Sequence, residues 1–165
     1  MELFSLGVER VKKVILYHLL ILASLAFLWV YISADSLPDW MLSSKVGIDC
    51  TLSALLGGNL YCLRAIYLNR SVQNRWNSEW EVWYYLRPIA SAISGVIAYI
   101  LLRAGLIVLE ASPDDDSSYF GFLTFAFIAG LNVDKFVVKL EEIARATFGI
   151  EISRVASGSS SKESL

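Results

Sequence analysis

Charge is what this sequence has least of. Only 18% of its 165 residues are Asp, Glu, Lys or Arg, against about 25% in an ordinary soluble domain. It has three prolines, two cysteines and one histidine. A lone His cannot form an H-E-x-x-H zinc motif, and neither G-x-S-x-G nor a Gly-rich phosphate loop occurs. No metal, cofactor or catalytic set is expected, and the chain reads as non-enzymatic. A net charge of −2 offers no basic surface to nucleic acid. Cys50 and Cys62 lie in one apolar block, roughly 18 Å apart along a helix, so they cannot bridge each other. They are expected to be small buried hydrophobes, with a bond between subunits as the alternative.

What the chain has in excess is apolar residues, 56% of the total, gathered into blocks. A helix needs about 20 apolar residues to cross a bilayer. The blocks place spans at about 14–32, 46–66, 88–109 and 119–138. The first follows Arg10, Lys12 and Lys13, and no A-x-A-like cleavage site ends it, so it reads as an uncleaved span. His18 is expected near its entry, at headgroup level. Pro88 suits the first turn of the third span, where its missing N–H costs nothing. The 13-residue block 119–131 is short and continues into an amphipathic repeat of Phe136, Val137, Leu140, Ile143 and Phe148. That segment is either one long helix or a short span joined to a surface helix. The expected fold is an all-α integral membrane protein with four transmembrane helices in residues 1–150. An interfacial aromatic segment separates the second and third, an amphipathic helix ends the fold, and 151–165 form a polar Ser-rich tail.

Four spans put both termini on one side. That side carries Arg10, Lys12, Lys13, Arg64, Arg70, Arg75, Arg87, Lys135, Lys139, Arg145, Arg154 and Lys162; the other carries Lys45 and the acids Asp35, Asp39, Glu110 and Asp114 to Asp116. By the positive-inside rule both ends are cytoplasmic. A three-span alternative keeps the fourth block on the surface and moves the C-terminal basic segment outside.

Arg103 is the one formal charge placed well inside a span, where it costs at least about 2.5–3.5 kcal/mol unless it snorkels. It is expected to snorkel outward or to pair with Asp49 or Glu110, or else to contact a ligand or ion inside a bundle or pore. Asn59, which directly follows Gly57 and Gly58 near the middle of the second block, wants an interhelical hydrogen bond. Ser91 and Gly95 form one small-residue stripe, and Ala90, Ser94 and Ala98 the next; with Gly57 and Gly58 they allow close helix packing. "PDDDSS" lacks the Gly turn and distal Glu of a calcium loop and reads as solvated. "NRS" at 69–71 matches a glycosylation sequon but falls on the cytoplasmic side. Small multidrug exporters also have four spans, but they need a mid-membrane carboxylate that no apolar core here supplies.

The stretch "NRWNSEWEVWYYLRP", residues 74–88, is the most unusual. Trp76, Trp80 and Trp83 fall on one stripe if it is helical, and with Tyr84 they read as a headgroup anchor. The alternative is a packed loop with core tryptophans. "YYLRPIASAISGVIAYILLRAG" and "FAFIAGLNVDKFVVKLEEIARATFG" resemble small bacterial inner-membrane proteins of uncharacterised function. That resemblance implies a bacterial inner-membrane location and no activity. The expected role is a small oligomeric membrane component, pore-like or a membrane-anchored partner or effector subunit. Its expected partners are membrane lipid, further copies of itself and a cytoplasmic protein. The alternative is a channel or transporter with a solute path lined by Asn59 and Arg103.

Overall fold

In a computed structural model the described residues are 2–33, 38, 41, 43–73, 76, 80–106 and 115–149. Among them the fold is all-helical, with no strand: α1 Glu2–Ser33, α2 Lys45–Tyr67, a π-helical turn Leu68–Val72, α3 Glu81–Arg103, α4 Asp115–Leu131 and α5 Val133–Phe148. Three helices are long and apolar enough to cross a membrane, and a fourth span results if the bent pair α4–α5 counts as one. Glu110, the acids of 34–40 and the tail 151–165 lie outside the described residues.

The contacts give an up-and-down arrangement. Along α2 and α3 the partners run in opposite order: a Cβ on Gly58 would meet Ser91, one on Gly95 would meet Ala54 at 2.6 Å, and one on Gly47 would meet Tyr99 at 3.2 Å. Along α2 and α4 they run in the same order. Tyr119 bonds Asp49, Ser53 donates to the Leu123 carbonyl, and Cβ atoms on Gly57 and Gly130 would strike the Phe127 and Ala54 backbones. So α4 lies parallel to α2 and packs along it as the fourth bundle helix. The core of α2, α3 and α4 is built from Cys50, Ala54, Ala98, Ala126 and Ala129, small residues that bring backbones together as dispersion and close packing require in a membrane. By contrast, α1 is the peripheral helix, touching α2 chiefly through Val11, Val14, Leu25 and Ile32.

Two expected boundaries move. The third helix covers 81–103 and not 88–109, so Pro88 sits inside it rather than in its first turn. A helical proline leaves a carbonyl four residues back without its N–H; close by, the Tyr85 carbonyl accepts from Tyr17 at 3.4 Å. Gly105 ends α3 with φ 69, and Gly105 and Leu106 N–H groups bond back to Leu102 and Leu101, a Schellman closure. The fourth span, expected at 119–138, stops at Leu131. At Asn132 (φ −123, ψ 50) the axis turns by 109°. The Asn132 N–H still closes α4 on Ile128, while its carbonyl accepts the Phe136 N–H that opens α5. A short apolar helix joined to a differently directed amphipathic helix is therefore the arrangement seen.

Candidate functional site

The buried polar groups fall at helix contacts. Asn59 is fully buried, and so is His18. Asn59 Oδ1 lies 2.5 Å from His18 Nδ1, and its Nδ2 donates to the His18 carbonyl at 3.1 Å. This double contact clips α1 to α2. His18 is thus an interior residue whose ring turns toward α2. Ser91 donates to the Arg87 and Gly130 carbonyls, both at 3.0 Å, which joins α3 to α4.

Asp49, 1% exposed, accepts from Tyr119 at 2.8 Å. That contact, and not an ion pair with Arg103, occupies it. Arg103 is exposed at the last turn of α3, with its guanidinium 5.9 Å from the Tyr99 ring centroid. Of the two expected structural roles, an outward-turned Arg103 and not an Asp49 pair is the one seen. A cation at a helix C-terminus meets the favourable end of the dipole and sheds the desolvation cost. Asn59 and Arg103 lie far apart along the helices. Tyr99, beside Arg103, packs on Gly47, and Gly47 is twelve residues, roughly 18 Å, from Asn59 along α2.

The arginine inside the fold is Arg87. Its side chain is 3% exposed and its Nη1 lies 2.7 Å from Asp134 Oδ2 on α5. Nη2 donates to the Leu131 carbonyl at 3.3 Å. The guanidinium is 4.8 Å from the Tyr61 ring centroid and 5.3 Å from that of Trp83. Nε has no hydrogen bond among the described residues; the two ring faces supply cation–π attraction. Sequence reading placed Arg87 in solvent at the start of a span. Its signal was present, because an Arg seven residues into a helix that begins at Glu81 lies two turns deep.

The aromatic stretch surrounds this arginine from the other side. Trp76 precedes α3, so the three tryptophans do not form one helical stripe. Trp76 stacks on Tyr84 at 5.5 Å and 9°, and its Nε1 donates to Glu81 at 3.3 Å. Tyr84 is 1% exposed and its hydroxyl accepts from Asn69 at 2.9 Å. Trp83 meets both Tyr61 and Tyr84 edge-on. Only Trp80, 58% exposed, has the freedom of an anchor. Trp76 and Trp83 both pack on Tyr84, the last two from within α3.

The geometry therefore fixes α5 against the end of the bundle where α1 and α3 begin, and where Arg10 approaches Glu81 at 3.9 Å. Between α4 and α5 the bend leaves an open apolar wedge of about 650 Å³. No family model, curated protein or solved structure matches the chain.

Proposed function

We propose that the chain is a four-span subunit of a bacterial inner membrane that works by assembly and not as an enzyme, presenting α5 to a protein partner on the cytoplasmic side. The observation that carries this reading is the Arg87–Asp134 ion pair. Burying an arginine is expensive, and here it ties the start of an amphipathic helix, bent by 109° from α4, to α3. On that helix Val137 and Val138 stay 44% and 48% exposed. These two valines give the helix an exposed apolar patch on which a partner could dock. The non-enzymatic part is supported by the use made of the buried polar groups, since Asn59, His18, Ser91 and Arg87 all join helices. The orientation is supported by the end on which Arg10, Arg87, Lys135 and Lys139 gather.

A photo-crosslinking residue at Val137 in intact cells tests the reading. A discrete protein adduct is expected, weakened by Asp134→Ala. An adduct of twice the chain's mass makes the partner a second copy. Adducts to lipid alone would sink the proposal.

A further inference from the structure

The wedge between α4 and α5 lies outside the role proposed for α5 as a platform. Its walls are apolar: Phe125 and Ile128 on α4, and Phe136, Leu140 and Ile143 on α5. Phe125 packs edge-on against Phe136 at 6.2 Å, which joins the two walls. Along α4 the lining runs from Phe125 to Asn132, about two turns or roughly 10 Å. The volume of about 650 Å³ falls in the range of small-molecule sites, about 300–1,000 Å³.

The rim is charged on one side only. Lys135 and Lys139 both border the wedge, as does Glu142. Lys139 is joined to Glu142 at 2.5 Å, whereas Lys135 has no ion-pair partner among the described residues. The net rim charge is one positive. A ligand matching this wedge has a long apolar body and an anionic head. We infer that the wedge binds one anionic phospholipid, with an acyl chain between α4 and α5 and its phosphate at Lys135. The bend at Asn132 makes this fit, because it brings the start of an amphipathic helix, where basic residues meet headgroups, beside the side of a spanning helix, where chains lie.

The rim arithmetic makes distinct predictions for the two lysines and the glutamate. Each basic residue near anionic lipid contributes about a fivefold preference. The delipidated full chain in mild detergent is titrated with phosphatidylglycerol or phosphatidylcholine, and retained lipid is counted by native mass spectrometry. One phosphatidylglycerol per chain is expected, favoured about fivefold over phosphatidylcholine. Lys135→Gln should bring the two lipids to parity, with the wild-type helix content retained. Glu142→Gln, which releases Lys139, should raise the preference about fivefold further; a residue acting only on stability would not move selectivity that way. Ile128→Trp, at a half-exposed wall position, should abolish retention of both lipids by filling the wedge. Equal retention of the two lipids by the wild type, or a preference untouched by Lys135→Gln, would overturn the site. So would a bound lipid that survives Ile128→Trp in a folded protein. Should either variant fail to fold, Glu142→Gln alone decides, because no gain in preference refutes the inference.

Discussion

At the residue scale, three glycines set how closely the central helices approach, and one methyl group is enough to test them. A Cβ on Gly130 would lie inside the Ala54 backbone, and one on Gly57 inside the Phe127 carbonyl. Backbone cannot rotate away, so Gly130→Ala should lower stability by about 1–3 kcal/mol, read as a fall in the thermal midpoint in detergent. Gly58 meets a side chain instead, Ser91. Gly58→Ala should therefore be rescued in good part by Ser91→Gly, whereas Gly130→Ala should not. A second test concerns the clip between α1 and α2. Asn59→Leu leaves the His18 ring without its buried partner, and intramembrane hydrogen bonds couple by about 0.6 kcal/mol and at most about 1.7. A double-mutant cycle of Asn59→Leu and His18→Leu should give a coupling in that range; zero would mean the contact carries no energy.

At the element scale the decisive feature is α5 and the ion pair that sets it. Asp134 is 79% exposed, while its partner is buried. Removing the acid strands a buried charge and removes a charged hydrogen bond, a loss of about 1.5–3 kcal/mol. Asp134→Ala should broaden the distance distribution between spin labels on α5 and α3, while Asp134→Glu should largely keep it narrow. An unchanged distribution in Asp134→Ala would show that Phe136 packing alone fixes the angle. Much of this was readable beforehand and some was not. Apolar block length located α2 to within a residue or so, since nothing tertiary was needed to end it. The 3.6-residue repeat from Phe136 announced an amphipathic helix. The break at Asn132 left no mark in hydropathy, because a single polar residue between apolar runs also fits an unbroken helix. The start of α3 was misjudged for a related reason. Pro88 looked like a first-turn residue, but the helix begins seven residues before it, at Glu81, and runs on through it. Arg87, and not Arg103, is the buried one once those boundaries move. Which arginine lies deep depends on where the helix begins and ends, not on its distance from the nearest polar loop.

On the scale of the whole molecule the four bundle helices divide into a tight trio and one loosely held member. Cys50 and Cys62 are both fully buried, the first in the trio and the second where the trio meets α1. In the folded protein neither should react with a membrane-permeant maleimide. Cys62 should become reactive first on mild heating, since its cover includes Val11 and Val14 of the peripheral helix. Simultaneous labelling of both would argue for a single cooperative unit.

The parallel course of α2 and α4 has a consequence in time. A chain made from its N-terminus first completes α1, α2 and α3 as neighbours in sequence. The glycine surface of α2 that receives α4 then stays uncovered, or meets some temporary companion, until residue 131 has been synthesised. Only at that point do Gly57 and Gly130 find the backbones they were left small to admit. The seal on this protein's core is thus applied by nearly the last described segment to be made, and α5, with its ion pair to Arg87, follows directly after it.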